Sequence, residues 1–299
     1  MKQAIIDIGS NSMRLSVYEI KENSFKILFK EKIMAGLAGY VEDGALSAQG
    51  IECAANALRT FKEILSLLNI ENIAVFATAS LRNISNTADA LFILEKTSGY
   101  QIEVISGEEE ATYGYIGAMQ ELGLDKGAFI DIGGASTEIA VFADKELLSA
   151  ASFPLGSLNL YKDCVKKIMP GENSVKKLQK TIAERIDTKK IAAFGKQEKL
   201  VGVGGTARAI LKIAQKYYHL PCQSQHISGE ELTELCEHLA KGDKEAIDLV
   251  LKLEPDRIHT IVPGALTLEY ICRLFSAEEF IVSKYGVREG YLCQKLLRS

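Results

Sequence analysis

The chain has 299 residues, of which 47% are hydrophobic and 25% charged, and its formal net charge is -4. That length suggests about two domains and suffices to bury a substantial core without staples. The negative balance argues against a general nucleic-acid binder, which carries a basic face. No apolar run approaches the roughly 18 residues of a membrane span, so the expected partners include no nucleic acid and no membrane. The six cysteines form no C-x-x-C pair and nothing resembles a signal peptide, which reads as reduced thiols in a cytoplasmic protein. His219, Cys222 and His226 lack zinc spacing and read as a polar loop.

The first residues, Ala4 to Asp7, form a short apolar run ending in an acid and a glycine, the pattern of a buried strand and tight turn. Strands follow at Leu15 to Ile20 and Phe25 to Ile33. A helix is predicted over Ser47 to Leu68, with Ile51, Ala54, Ala55, Leu58, Phe61, Ile64 and Leu65 on one face. Ile73 to Ala77 is a strand, Thr87 to Thr97 a helix and Ile102 to Ile105 a strand. The helix from Gly107 to Leu122 opens on a capping box, Ser106 with Glu109.

The pattern then restarts. Strands are predicted at Ala128 to Asp131, Glu138 to Phe142 and Leu147 to Phe153, with helices at Ser157 to Ile168 and Val175 to Ile186. Lys199 to Val203 is a strand and Thr206 to Lys216 a helix. Ser228 and Glu231 cap a helix reaching Lys241. Gly264 to Phe275 is helical, Phe280 to Ser283 a strand and Val287 to Leu297 a closing helix. Interleaved strands and helices define an α/β class. Residues 6–20, IDIGSNSMRLSVYEI, are echoed at 130–144 by IDIGGASTEIAVFAD, a spacing too long for a solenoid repeat. Two similar halves are expected, residues 1–123 and 124–299, with the terminal helix able to pack back on the first.

Three glycine loops carry the candidate chemistry. In the first, Asp7 is followed by Ile8, Gly9, Ser10, Asn11 and Ser12. Small residues between two strands let backbone N–H groups converge on an anion. The acid at the strand end cannot bind phosphate itself, but it can hold Mg²⁺, and the metal can bind phosphate. The second loop repeats this with Asp131, Gly133, Gly134, Ala135, Ser136 and Thr137. Tight β-turns use the same residues, so either loop alone is weak; two matched loops half a chain apart are not. The third, Gly204, Gly205 and Thr206, links a strand to a helix N-terminus, where anions are favoured.

With IDIGSNSMRL, ATASLRNISN, VISGEEEA, IDIGGASTEI, LVGVGGTARA, IVPGALTLE and VSKYGVREGYL in this order, the chain resembles the exopolyphosphatase/guanosine-pentaphosphate phosphatase family of the actin-like ATPase superfamily. The resemblance implies two ribonuclease H-like domains, an interdomain cleft, a homodimer, and inorganic polyphosphate or guanosine pentaphosphate as substrate. It makes Glu110 the catalytic carboxylate. The residues agree in part, since the capping box occupies Glu109 and Glu110 lies about 100° further round the helix. Asp131 and Asp7 would anchor Mg²⁺. Arg82, matched with Thr78 and Asn86 to a family motif, would bind the terminal phosphate through its planar fork. Arg14 would sit on a strand and pair with an acid or substrate, and Arg288 and Glu289 read as structural.

Two positions depart from the family pattern. The second loop usually carries a third glycine where Ala135 stands; a positive φ there would cost alanine about 1–2 kcal/mol, a negative φ almost nothing. A family arginine has no match around Met34. Longer members also carry a further C-terminal helical domain, whereas this chain reaches Ser299 just after the second half, giving an expected preference for short substrates. Two other readings stay open: a small-molecule kinase of the same fold, and a non-catalytic sensor of guanosine tetra- or pentaphosphate, which Ala135 would favour.

Overall fold

A computed structural model describes residues 1–22, 24–187 and 194–297. The chain divides into two compact units, Met1–Glu109 with the segment from Leu292, and Glu110–Tyr291.

The first unit is built on a five-stranded sheet in the order β3-β2-β1-β6-β7. Its strands are β1 (Lys2–Ile8), β2 (Met13–Lys21), β3 (Ser24–Ile33), β6 (Ile73–Ala77) and β7 (Glu103–Val104), with a two-stranded ribbon β4 (Val41–Glu42) and β5 (Ala45–Leu46) beside it. The first three strands form an antiparallel meander, whereas β6 and β7 join in parallel. One sheet face presents Ile6, Ile8, Met13, Leu15 and Val17 to helix α1 (Ala48–Leu67), whose Ile51, Leu58, Phe61 and Leu65 complete the core. Ser47 caps α1 by accepting the Gly50 amide, which supplies one of the helix's orphan donors with a partner. Two further helices, α2 (Ala79–Arg82) and α3 (Thr87–Ser98), follow β6. Helix α4 (Gly107–Leu122) starts on the expected box: the Ser106 amide donates to Glu109 Oε2 at 2.8 Å and the Glu109 amide to Ser106 Oγ at 3.1 Å.

The second unit repeats the plan. Its sheet runs β10-β9-β8-β11-β13-β12, from β8 (Gly127–Ile132), β9 (Thr137–Ala143), β10 (Glu146–Phe153), β11 (Lys199–Val203), β12 (His226–Ser228) and β13 (Glu279–Val282). Here too an antiparallel meander, β8 to β10, is extended by parallel strands β11 and β13; β12 adds an antiparallel edge. The helices are α5 (Ser157–Cys164), α6 (Glu172–Arg185), α7 (Gly204–Tyr217), α8 (Gly229–Lys241), α9 (Lys244–Leu253), α10 (Ile261–Phe275) and α11 (Val287–Tyr291), followed by a π-helical turn at Leu292–Leu296. Two meander-plus-parallel sheets in one chain are the duplicated actin-like (ribonuclease H-like) α/β architecture. The sequence echo is its signature: Asp7 pairs with Arg14 across β1 and β2, and Asp131 with Glu138 across β8 and β9.

Some elements differ from the sequence reading. Helix α5 stops at Cys164, not near Ile168, because Val165 turns extended (φ -115, ψ 129) and is buried in the core. Helix α10 begins three residues early, at Ile261, since Pro263 falls in the first turn, where its missing N–H costs nothing. Helix α9, capped by Asp243 through the Ala246 amide at 2.9 Å, and the short α2 and β12 were not expected.

Within the second unit, α4 and α11 approach backbone to backbone. A Cβ on Gly290 would stand 1.8 Å from the Tyr113 carbonyl oxygen, and one on Gly117 would stand 2.0 Å from that of Gly286. Glu289 is buried and accepts the Gly286 amide at 3.0 Å, which holds the start of α11. Gly290→Ala is therefore expected to destabilise the protein by about 1–3 kcal/mol or more, the cost of overpacking. A lowered denaturant midpoint with an unchanged m-value is the expected readout.

Candidate active site

The two glycine loops adopt one design. Each follows the loop-side end of a strand and returns along its antiparallel neighbour, β1 to β2 and β8 to β9. A Cβ on Gly9 would lie 2.8 Å from the Ser12 carbonyl oxygen, and one on Gly133 would lie 3.1 Å from that of Ser136. Both turns therefore need a side-chain-free residue at the same place, and the second is closed by the Gly133 amide donating to Ser136 O at 2.9 Å.

The carbonyls of both loops are occupied from behind. In the first unit the Gly36 amide donates to Asn11 O and the Ala38 amide to Ser10 O, both at 2.9 Å. In the second, Ser157 donates its amide to Gly133 O at 2.9 Å, and Leu158 and Asn159 donate theirs to Gly134 O at 3.0 and 3.1 Å. The Asn159 side-chain amide reaches Ala135 O at 3.4 Å. A trans peptide points its C=O and N–H in opposite directions. Pinning these carbonyls therefore aims the amides of Asn11 and Ser12, and of Gly134, Ala135 and Ser136, the other way. An array of such amides is an anion-binding nest. Gly156 permits the arrangement: a Cβ there would lie 2.2 Å from Gly134 O and Ala135 N.

The third loop also has a counterpart, which the sequence did not disclose. Thr206 Oγ1 donates to Ile132 O at 2.8 Å. In the first unit Ser80 Oγ donates to Ile8 O, the equivalent carbonyl. The segment Thr78–Ser80 thus stands to β6 as Gly204–Thr206 stands to β11. Gly204 has φ +79, and a Cβ on it would lie 2.1 Å from Asp131 Oδ1. Gly204 therefore satisfies two demands, a left-handed backbone and room for the carboxylate.

Individual residues take distinct parts. Ser10, Ser12 and Ser136 are buried in their loops, while Asp7, Gly9, Asn11, Asp131, Gly133, Gly134, Gly204 and Gly205 are partly exposed. Thr137 is fully buried with its hydroxyl on the Leu155 carbonyl, which makes it a structural residue of β9. Arg14 Nε donates to Ser12 Oγ at 3.1 Å, so the guanidinium leans over the first loop. Arg82 Nη1 donates to the Ile105 carbonyl at 3.1 Å, next to the capping box of the helix that carries Glu110. Glu110 itself is buried, 8% exposed, on α4.

One cation of this region was missed in the sequence. Arg257, between α9 and α10, is largely buried, and burial pushes its guanidinium below its ordinary pKa, opposed by Glu254, Asp256 and Asp131. Its Nε lies 3.6 Å from Glu254 Oε2. Asp131 is among the acids whose charge bears on this guanidinium, which stands at a position with no motif of its own.

Asp7 and Asp131 are hard oxygen donors, each at the mouth of a loop rich in amides and hydroxyls. Among the described residues no group of three or more His, Cys, Asp or Glu side chains could hold a metal ion. Taken separately, each carboxylate is the kind of donor that Mg²⁺ accepts, since that ion typically takes one or two carboxylates and completes its shell with water and substrate phosphates.

The fold defines a protein of the actin-like class. The chain belongs to the Ppx/GppA phosphatase family, whose model matches residues 16–299. It is 26% identical over 309 residues to exopolyphosphatase 2 of Mycobacterium tuberculosis, covering 96% of each chain. It is 28% identical over 295 residues to the guanosine-5′-triphosphate,3′-diphosphate pyrophosphatase of Vibrio vulnificus, covering 96% of this chain and 58% of that one. The crystal structure of the Aquifex aeolicus member of the Ppx/GppA protein family superposes with a TM-score of 0.80 at 25% identity, over 100% of this chain and 98% of that one.

Ala135 is not among the residues with positive φ. The alanine is therefore unstrained, and Ala135→Gly is expected to leave phosphatase turnover within about twofold, as a substitution that relieves no strain. Gly204→Ala is expected to be damaging: the left-handed backbone alone costs about 1–2 kcal/mol, and the methyl displaces the Asp131 carboxylate. Parallel thermal melts and phosphate-release rates on the two variants check both outcomes.

Proposed function

We propose that this chain is a phosphoanhydride hydrolase that releases the terminal phosphate of inorganic polyphosphate or the terminal 5′-phosphate of guanosine pentaphosphate. The observation that carries the reading is the paired loop design, in which neighbouring segments hold the carbonyls and turn the amides outward. Membership of the Ppx/GppA phosphatase family and the relatives named exopolyphosphatase and pyrophosphatase support the same chemistry. None of the six cysteines is in a disulfide, which suits a cytoplasmic enzyme. No helix among the described residues is long and apolar enough to cross a membrane.

In this reading the amides and hydroxyls of Gly9, Ser10, Asn11 and Ser12 hold phosphoryl oxygens from the first unit. Gly133, Gly134, Ser136, Gly204 and Gly205 do so from the second, and Thr137 supports its loop from within. Arg82 binds the terminal phosphate, and Arg257 adds positive charge beside Asp131. Glu110 orients water for in-line attack and takes its proton as the new P–O bond forms and the bridging P–O bond breaks. The shortened polyphosphate, or guanosine tetraphosphate, departs on the opposite side with the bridging oxygen and its electron pair, and the attacked phosphoryl group is released as inorganic phosphate. Catalysis of this type comes mainly from positioning and charge stabilisation. Asp131 and Asp7 would hold Mg²⁺, whose charge offsets that of the phosphates. The unstrained Ala135 removes the feature that favoured a non-catalytic sensor.

Glu110→Gln is expected to lower phosphate release by about 10²–10⁴-fold, the span of a general base, while the variant keeps the wild-type melting curve and still binds substrate. Unchanged turnover would remove Glu110 from the mechanism. Chelation of divalent cations is expected to abolish release, and added Mg²⁺ to restore it.

A further inference from the structure

Arg14, Lys32 and Lys30 occupy one face of the first sheet, beside the first glycine loop. Across the strands, Asp7 pairs with Arg14 and Arg14 with Lys32; one pleat further on, Ser16 pairs with Lys30. No register shift interrupts β2 and β3 between Met13 and Val17. Directly paired residues project from the same face of a sheet, so all three cations share the face of Asp7. The opposite face, with Leu15, Val17, Phe29 and Ile33, is committed to the core. Lys30 and Lys32 are exposed on the edge strand β3, and the segment after that strand supplies the Gly36 and Ala38 amides that fix the loop.

Lysine on an edge strand has an ordinary use, discouraging strand addition. The duplicated fold supplies an internal comparison. In the second unit the row Asp7–Arg14–Lys32 is replaced by Asp131–Glu138–Ser152, and the pair Ser16–Lys30 by Ala140–Ala150. The architecture therefore does not require cations there, and the basic row is particular to the first unit. It starts at a phosphate loop and runs away from it over two strand spacings, about 10 Å, further than one phosphate reaches. The chain as a whole is acidic, with a net charge of -4, so a polyanion needs such a local track.

We propose that Lys30 and Lys32, continuing from Arg14, form a subsite for phosphoryl groups beyond the terminal one and so raise the affinity for longer linear polyphosphate. The inference rests on the phosphoanhydride hydrolase reading. Lys30 and Lys32 are positioning residues that hold the chain electrostatically and take no part in bond cleavage.

The test is steady-state hydrolysis of inorganic triphosphate and of medium-length linear polyphosphate by the wild type, K30S/K32S and the charge-preserving K30R/K32R. For K30S/K32S the KM for polyphosphate is expected to rise roughly three- to tenfold, the size of two exposed charge contacts. Its kcat, and both constants for triphosphate, are expected to stay within about twofold, and K30R/K32R to behave as wild type. Added salt should erode the wild-type advantage for polyphosphate and have little effect on the variant's KM. Equal losses on both substrates, or no loss on either, would overturn the subsite while leaving the hydrolase reading intact. A wild type that releases no phosphate from any of these substrates or from guanosine pentaphosphate would overturn the hydrolase reading, and the subsite with it. If the double variant precipitates, K32S alone carries the test.

Discussion

The geometry of the two glycine loops depends on a constraint of the peptide bond. Amides can converge on an anion only if the carbonyls of the same peptides point elsewhere and find partners there. A short loop of small residues cannot satisfy all of its own carbonyls, so the surrounding fold must supply the remaining donors. In the first unit the amides of Gly36 and Ala38 perform this task; in the second, those of Ser157, Leu158 and Asn159. The second solution uses the unpaired N–H groups that open every α-helix. At α5 they bind the loop's own carbonyls, which leaves the loop amides turned the other way. Gly156 follows from this, because the helix start must lie against Gly134 and Ala135 with no side chain between.

Duplication lets structural need be separated from chemical choice. The hydroxyl donation to the last carbonyl of the first strand, Ser80 to Ile8 and Thr206 to Ile132, is present in both units and so belongs to the scaffold. So does the glycine that opens each loop, Gly9 and Gly133. The residues across from the strand-end acids differ: Arg14 faces Asp7, while Glu138, buried and bonded to Ser152, faces Asp131. Cation placement is thus free to vary where backbone geometry is not.

The sequence was most informative where local chemistry and fold agree. Both capping boxes, the meander strands and the α/β class were legible because apolar periodicity and caps act over a few residues. Both loops were legible for a different reason: the repeated IDIG frame made two weak signals into one strong one. What escaped depends on contacts distant in sequence. Nothing in Thr78–Ser80 resembles Gly204–Thr206, and their equivalence shows only through the carbonyls they serve. Whether Ala135 is strained was likewise undecidable from composition, since φ there is set by α5 packed behind the loop. Helix α9 was within reach, with Asp243 at its cap and one side of the helix, at Ala246 and Val250, turned into the core.

Arg257 illustrates the last kind of hidden information. A carboxylate at the mouth of an anion-binding loop works against the loop unless cations offset it. In the first unit a neighbouring strand supplies Arg14, within the same hairpin. In the second, Glu138 takes that position, and Arg257, whose guanidinium feels the charge of Asp131, follows it some 126 residues later in the chain. Burying a guanidinium is costly unless acids offset it, and Glu254, 3.6 Å from the Nε, is foremost among those that do so. The first hairpin thus carries a cation of its own opposite its strand-end acid, and the second carries an acid there instead.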